Sequence, residues 1–224
     1  MIIDELEKRL RPVEKKLPPY PPKVITLASG EKMVVRQATR DDGPVLLETV
    51  RPLIDVERDF YDVVAARVYS ELLGWYRYRV ADEYCLVGTI DGVIASLVNG
   101  RTVNETTGMS YHTITIKRGL RCGAQMFAAK MEYHFEYLKQ KEVLIVAESP
   151  IGYKRWMIEY QLEARPQVQH ELGGVPTHVL TEPLYQAAKP RLVTGQRPVS
   201  PQLLATADEF IAPSEYPQIP GFKR

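Results

Sequence analysis

Hydrophobic and polar residues alternate along several segments in the middle of the chain, and each alternation predicts a β-strand. The clearest case is the pair EYCLVGTI and VIASLVNG, which flank Asp91-Gly92. Because an Asp-Gly pair readily adopts the positive φ angles of a type I′ turn, these segments predict a β-hairpin. Further strands are predicted for MSYHTITI and for MVVRQAT, which alternates at Val34, Arg36 and Ala38.

Two segments between these strands carry apolar residues about every 3.6 positions, which predicts amphipathic helices. Thr39 and Asp42 resemble a capping box with a shorter acid, so a helix is expected over 41–50. The next helix, in DFYDVVAARVYSELLGW, is expected to end at Gly74. Its residues at helical spacing are Phe60, Val63, Val64, Arg67, Val68 and Leu72.

A strand, a helix and another strand are predicted in succession in the second half of the chain. The nearly continuous apolar run EVLIVAE predicts a buried central strand. Strands near 110–116 and 143–147 are therefore expected to be parallel neighbours, joined by a helix over 122–138. One face of that helix carries Phe127, Met131, Phe135 and Leu138.

A helix in GYKRWMIEYQL and a closing hairpin in QVQHELGGVPTHVLTEPLY complete the predicted elements. The hairpin is expected to turn at Gly173-Gly174. The resulting order is β-α-α-β-β-β-α-β-α-β-β. It predicts an α/β (α+β) fold, in which helices flank a mixed, mostly antiparallel sheet.

The two ends of the chain differ from its middle, because the 17 prolines are concentrated there. Residues 1–22 predict an amphipathic helix, with Ile3, Leu6 and Leu10 on one side, and then the extended linker LPPYPP. The compact domain is expected over 23–185. Residues 186–224 predict a proline-rich extension that contains the amphipathic fragment PQLLATADEFI, which is expected to pack on a neighbour or on the domain surface. Two hypotheses for it are wrapping over a second subunit, which would give a homodimer, and covering a substrate cleft.

Composition narrows the class of protein. A chain of 224 residues that is 45% apolar can bury one domain core, and its net charge of +1 argues against a surface that binds nucleic acid. No apolar run approaches the roughly 20 residues that cross a bilayer, and no signal peptide is evident, so a cytoplasmic protein is expected. Neither Cys85 and Cys122 nor the four histidines have metal-ligand spacing, so no metal is expected.

The segment TIKRGLRCGAQM lies where the strand MSYHTITI should become a helix. A helix start leaves backbone amides unpaired and carries partial positive charge, and glycine lets the backbone approach an anion closely. Arg118 and Arg121 add charged donors. Residues 117–155 hold eight Lys and Arg against four Glu. The segment therefore predicts a phosphate-binding turn; the alternative is a plain strand-to-helix connection.

This turn and the element order resemble the Gcn5-related N-acetyltransferase (GNAT) superfamily, over about residues 33–185. Family members carry Arg/Gln-x-x-Gly-x-Gly/Ala at this point, and Arg118-Gly-Leu-Arg-Cys-Gly123 matches the first and last positions. Arg121 replaces the middle glycine, so its side chain must either aim outward or contact a phosphate itself. The resemblance implies that the anion is the pyrophosphate of coenzyme A, brought by acetyl-CoA or another acyl-CoA.

The resemblance also implies which residues bind this co-substrate. In the family, backbone amides of the preceding strand polarise the thioester carbonyl, and the turn binds the pyrophosphate. The residues implied here are Thr113, Ile114, Thr115, Ile116, Arg118, Gly119, Leu120, Arg121, Cys122, Gly123 and Ala124.

The implied activity is an N-acyltransferase, in which an amine acceptor attacks the coenzyme A thioester directly. His112 and Glu148 are the candidates for the catalytic base, because a histidine titrates near neutral pH and Glu148 ends the strand EVLIVAE. Met157 stands where many members have a tyrosine that protonates the departing thiolate. Tyr153 or Tyr160 would replace that tyrosine only if its helix face suits.

Three alternatives remain open. A GNAT-like regulatory module would bind acyl-CoA without turnover, which fits Met157 and Arg121. A synthase of an acyl amino acid or acyl lactone would use a longer acyl donor on the same fold. A structural protein with the same element order would have no affinity for coenzyme A. If the protein is an enzyme, a covalent mechanism is an alternative to direct transfer, because Cys122 near a helix start could act as a thiolate nucleophile. No histidine lies beside Cys122 in the sequence.

Overall fold

The computed structural model describes residues 3–57 and 60–217, without the side chain of Ile3. Expectations that fall on residues 1–2, 58–59 and 218–224 lie outside the described residues. They include the start of the first predicted helix, Asp59 at the start of the third, and the end of the C-terminal extension.

The elements follow the chain in this order. The α-helices are α1 (Ile3–Leu10), α2 (Gly43–Val50), α3 (Tyr61–Tyr76), α4 (Cys122–Glu132), α5 (Pro150–Gly152), α6 (Glu182–Leu192) and α7 (Pro201–Thr206). The strands are β1 (Lys23–Thr26), β2 (Lys32–Gln37), β3 (Glu83–Ile90), β4 (Val93–Thr102), β5 (Thr107–Thr115), β6 (Glu142–Ile145), β7 (Glu163–Ala164) and β8 (His178–Thr181). Helices α4 and α5 continue as π-helical turns over Tyr133–Tyr137 and Tyr153–Ile158. Short 3-10 helices, Arg40–Asp42 and Arg51–Asp55, flank α2.

All eight strands form one sheet in the order β1-β2-β3-β4-β5-β6-β8-β7. Strands β5 and β6 pair in parallel, and the other neighbours are antiparallel. At the predicted hairpin, Asp91 and Gly92 have φ angles of 51° and 82°, as a type I′ turn requires. The mixed, mostly antiparallel sheet predicted from the sequence is confirmed.

Successive side chains of a strand point to opposite faces of the sheet, and each face packs in its own hydrophobic core. Val87 and Leu97 pack with helices α2 and α3 on one face of the sheet. Their neighbours Leu86 and Val98 pack with α4 on the other face. Because both faces are covered by helices, every residue of β3 is buried.

Strands β5 and β6 diverge after a short parallel pairing. Their register ends at Ser110 opposite Ile145, while β5 continues to Thr115. At this point the register of β5 against β4 shifts, so that β5 uses one residue more than β4. Such a bulge bends a strand and increases its twist. The bend leaves a gap between the ends of the two strands.

Helix boundaries were predicted with one error at Gly74. The expected capping box is present, because the Thr39 amide donates to Asp42 Oδ2 at 2.7 Å. Gly74, however, lies inside α3, which runs on to Tyr76. A glycine lowers helix stability by only about 1 kcal/mol, and packing of α3 on the core outweighs that loss.

The predicted closing hairpin was wrong in its first strand. The partner of β8 is β7, and Gly173-Gly174 lies in the loop between them. Residues after β8 form helix α6 instead of a strand end and a proline-rich tail. Pro183 fits because a proline in the first helical turn loses no hydrogen bond. Strand β1, which the sequence analysis missed, pairs with β2.

The C-terminal extension packs on its own domain. Gln196 forms a β-bridge with Val24 of β1, and Ile211 forms one with Val93 of β4. Phe210 is buried in the core beneath α2 and α3. The domain boundary at 185 and the dimer through the extension remain predictions. In the part of the chain that the structure describes, no helix is long and apolar enough to span a bilayer.

Candidate functional site

A pocket of about 940 Å³ lies in the gap between β5 and β6. Four segments contribute its lining residues, within 57–64, 111–115, 118–124 and 146–156. Nine of the eleven residues implied for coenzyme A line this pocket. The other two do not: Ile116 is buried in the core, and Leu120 packs against the core under α4.

Two backbone amides of β5 face the gap. The amides of His112 and Ile116 bond to the β4 side, to Asn99 Oδ1 and to the carbonyl of Ala95. Since amides of alternate residues in a strand point to the same side, those of Thr113 and Thr115 point away from β4. They can therefore donate to a ligand between the diverging strands.

The turn before α4 adopts the unusual backbone that its glycines suggested. Gly119 has a φ of 88°, and Arg121, the N-cap residue of α4, has a φ of 62°. A left-handed conformation costs a residue with a side chain about 1 kcal/mol, and glycine avoids this cost. Gly123 is needed for close approach, because a Cβ there would lie 2.5 Å from Thr115 Oγ1. The helix start is thus held tightly against β5.

Positive charge surrounds this helix start. Arg118, Arg121 and Arg155 line the pocket, and the guanidinium of Arg118 lies 5.6 Å from the ring centre of Tyr61. The amides of Ala124 and Gln125 donate to the Arg121 carbonyl, so the helix-start amides with no helical carbonyl to bond are those of Cys122 and Gly123. An anionic group near Gly119–Gly123 would therefore meet both backbone donors and guanidinium groups.

His112 and Glu148, proposed separately as bases, contact each other in the pocket. His112 Nδ1 lies 3.1 Å from Glu148 Oε2, and both residues line the pocket. His112 is buried, whereas the Glu148 side chain is 18% exposed. Arg67 of α3 forms an ion pair with the other oxygen of Glu148. Glu148 is therefore the member of the pair that a substrate can reach.

A second carboxylate contacts the other nitrogen of the same imidazole. Glu71 Oε1 lies 3.1 Å from His112 Nε2, so the ring lies between two glutamates. Ionised carboxylates only accept hydrogen bonds, and a neutral imidazole has a single N–H to donate. A neutral ring can therefore donate to only one of the two carboxylates, and a ring that takes up a proton can donate to both.

The side chains of Asn99 and Lys130 bond to the backbone of β5 at its bulge. Asn99 accepts from the His112 amide and donates to Glu71 and Glu83, at 2.5 and 3.1 Å. Lys130 Nζ donates to the His112 carbonyl at 3.0 Å. Burial lowers the pKa of the Lys130 ammonium to about 7 and raises the pKa of the Glu83 carboxyl to about 8. The backbone at His112 is thus fixed by side chains.

The remaining candidates lie elsewhere or lack reactivity. Tyr153 is half exposed beside His178, and Tyr160 is buried against Phe127, so neither tyrosine lines the pocket. The structure gives no support for either as the acid that replaces the family tyrosine. Cys122 lines the pocket but is buried, and burial raises the pKa of its thiol to about 11. That shift opposes a thiolate nucleophile.

Sequence reasoning missed Glu71 and Asn99 and gave Arg67 no role. Arg67 and Glu71 are four residues apart on α3, on a helix side that otherwise faces the core with Val64, Val68 and Leu72. The charges of Arg67 and Glu71, at helix positions where apolar residues are expected, were the one sequence feature that could have indicated a functional site. Their target could not be read from the chain, because it depends on how α3 packs on β5.

Comparison with known proteins supports the fold. No protein-family model matches the chain, and no curated protein matches it significantly. An uncharacterized protein from Bacillus halodurans aligns with a TM-score of 0.54 at 12% identity, covering 76% of this chain and 95% of that one. The GNAT domain of PAT from S. lividans aligns with a TM-score of 0.51 at 14% identity, covering 71% and 96%.

A third match is RimJ from Mycobacterium smegmatis, solved in complex with CoA-disulfide. It aligns with a TM-score of 0.51 at 12% identity and covers 88% of this chain and all of that one. Likeness at such low identity shows the fold alone. It confirms the GNAT fold that the element order and the 118–123 turn predicted.

Proposed function

We propose that this chain, which has the GNAT fold, is an acyl-CoA-dependent N-acyltransferase that transfers an acyl group to an amine. The observation that carries the proposal is the arrangement of the gap between β5 and β6. Backbone amides of the helix start and arginine side chains lie at the α4 end of the gap, and the Glu148–His112 pair lies in the same pocket. One site can therefore bind a phosphate-bearing acyl donor and also accept a proton from the acceptor amine.

The donor would bind along the gap. The pyrophosphate of coenzyme A would accept hydrogen bonds from the amides near Gly119–Gly123 and from Arg118. The amide of Thr113 or Thr115 would donate to the thioester oxygen and stabilise the negative charge that develops there. Neither interaction requires movement of the strands, because the bulge already holds them apart.

The chemistry would be direct transfer. The amine nitrogen attacks the thioester carbon and loses its proton to Glu148, with His112 directly behind that carboxylate. The carbon–sulfur bond then breaks, and coenzyme A leaves as a thiolate that takes a proton from water. This route uses no tyrosine, which fits the positions of Tyr153 and Tyr160.

Calorimetry with acetyl-CoA, coenzyme A and a long-chain acyl-CoA tests donor binding. The wild-type chain is expected to bind at least one of them, and Arg118→Glu is expected to weaken binding at least tenfold, because it places a negative charge beside the pyrophosphate. Lys154→Glu is the matched control, since Lys154 is exposed and does not line the pocket. Absence of binding to all three compounds would contradict the proposal.

Release of coenzyme A with a panel of amines then tests turnover. Wild type is expected to release thiol with some amine, and Glu148→Gln is expected to lower kcat by 10²–10⁴ without changing donor affinity. Binding without release would favour the regulatory module. A marked preference for the long-chain donor would favour synthesis of an acyl amino acid or acyl lactone.

A further inference from the structure

We propose that Glu71 is a positioning residue in a proton relay formed by Glu148, His112 and Glu71, which runs from the pocket to helix α3. This inference rests on the proposed function, because the proton would come from the acylated amine. It assigns to α3 a role in the chemistry that the GNAT resemblance did not indicate. The geometry of three contacts carries it.

The first contact fixes the entry of the proton. Glu148 lines the pocket, whereas Glu71 does not, and Arg67 pairs with Glu148. An adjacent guanidinium favours an ionised carboxylate. A proton delivered to Glu148 is therefore held there weakly and passes to the neighbouring His112 Nδ1.

The second and third contacts fix the destination. Once His112 carries two protons, its Nδ1–H donates to Glu148 and its Nε2–H donates to Glu71, each over 3.1 Å. Glu71 is itself oriented by Asn99, which donates to its other oxygen at 2.5 Å. The imidazolium is thus stabilised by two carboxylates. The transfer balances, because the amine loses one proton and the imidazole of His112 gains one proton.

Other charged groups act on the same ring. Lys130 of α4 donates to the His112 carbonyl, and its ammonium opposes a second positive charge nearby. His170 in the β7–β8 loop interacts electrostatically with His112. Burial lowers the pKa of His170 to about 4, so His170 is neutral at pH 7. Near neutral pH the charged groups that act on the ring are therefore the two glutamates, Arg67 and the Lys130 ammonium, whose pKa burial lowers to about 7.

Activity should therefore rise with pH as the relay loses its proton and becomes ready to accept another. Glu71→Gln removes one of the two carboxylates that stabilise the imidazolium. We expect this rise to move to lower pH and the plateau kcat to fall about tenfold, since the base becomes weaker. KM for the acyl-CoA should not change. Glu71→Asp, which keeps the charge, should restore most of the wild-type profile.

The state of the ring can be measured without turnover. Nitrogen-15 NMR of the imidazole distinguishes the neutral ring from the imidazolium, and His112→Gln identifies the signals that belong to His112. At pH 7 the imidazolium fraction of His112 should be lower in Glu71→Gln than in wild type. Glu182→Gln, at an exposed surface ion pair, should leave it unchanged. Circular dichroism checks that each variant is folded.

Two outcomes separate this inference from the proposed function. If the His112 signals of wild type and Glu71→Gln titrate together between pH 5 and 9, the relay is wrong, even for an active enzyme. If they differ as expected but no amine is acylated, the ring contacts are supported and the acyltransferase proposal is overturned. If Glu71→Gln does not fold, Glu148→Gln tests the other carboxylate contact of the ring, and His112 signals that titrate as in wild type would contradict the relay.

Discussion

Glu83 shows how a single buried carboxyl makes the stability of this chain depend on pH. It lies on β3, accepts a hydrogen bond from Asn99 and is almost fully buried. Burial raises the pKa of this carboxyl from its ordinary value of 4.5 to about 8. Between these two values the folded state holds a proton that the unfolded state has released. Stability from this group is therefore complete below pH 4.5 and is lost as pH rises through 8.

Glu83→Gln should remove that dependence. The amide oxygen of glutamine can still accept from Asn99, but it does not ionise. The free energy of unfolding of the variant should match wild type near pH 4 and exceed it by roughly 5 kcal/mol at pH 9. Urea unfolding at several pH values measures the difference. Glu163→Gln, at an exposed carboxylate, is the control. Parallel pH profiles for wild type and Glu83→Gln would count against this account.

At the residue scale, sequence reasoning found candidates but not their partners. His112 and Glu148 were selected because of their residue types and their positions on or at the end of a strand. Their contacts with Arg67 and Glu71 join residues 41 to 81 positions apart. No local periodicity reports such a contact. Tyr153 was selected by counting along a helix, and the structure turns it away from the pocket toward His178.

At the element scale, the bulge in β5 determines the site. Asn99 on β4 provides a side-chain acceptor where the regular ladder of backbone bonds is interrupted. Asn99→Ala would leave the His112 amide and two carboxylates without that partner. We expect a loss of roughly 1–3 kcal/mol in the free energy of unfolding, together with weaker acyl-CoA binding.

Asn104 provides the matched control for this variant. Its side chain also accepts from backbone amides, those of Thr106 and Thr107, but it lies in the exposed loop between β4 and β5. Asn104→Ala should therefore cost less stability and leave acyl-CoA affinity unchanged. Denaturant unfolding and calorimetry give both quantities. Equal effects of the two substitutions on affinity would show that the bulge does not shape the donor site.

Elements with strong local patterns were predicted well, and those with conflicting local patterns were not. The β3–β4 hairpin and α4 follow from the Asp91-Gly92 pair and a regular apolar face. Helix α6 was missed because Pro183 and Pro190 suggested irregular chain, although a proline in the first turn suits a helix. Strand β1 has four residues, which is too short for a clear alternation.

At the scale of the whole molecule, the C-terminal extension acts as part of the domain. Arg197 forms a bidentate pair with the buried carboxylate of Glu132, which also contacts Lys23 of β1. Arg36 of β2 donates to the carbonyls of Ala207 and Asp208. Around Arg197 the sequence indicated irregular chain, because proline suppresses periodicity. The amphipathic fragment PQLLATADEFI was recognised, but its target on the domain could not be read from the chain, because these contacts depend on the folded sheet.

Truncation after Thr194 should therefore destabilise the fold. It removes Phe210 from the core, a loss that for a buried phenylalanine costs about 3–5 kcal/mol, and it leaves Glu132 without Arg197. A large fall in Tm is expected. Truncation after Pro217 keeps these contacts and also Tyr216, which packs on the same core, and should leave Tm close to wild type. If the longer deletion melts like wild type but changes oligomeric state or activity, the subunit or cleft hypothesis for the extension would be favoured.

The position of these contacts also sets an order of events during synthesis. The ribosome releases β1 and β2 early, but the outer edge of β1 has no partner until Gln196 has emerged. The core beneath α2 and α3 similarly lacks Phe210 until that residue is made. Because an uncovered strand edge can pair with other chains, a nascent molecule is exposed to aggregation during this interval. Translation speed between residues 26 and 210 thus bears on how much of the protein reaches its native state.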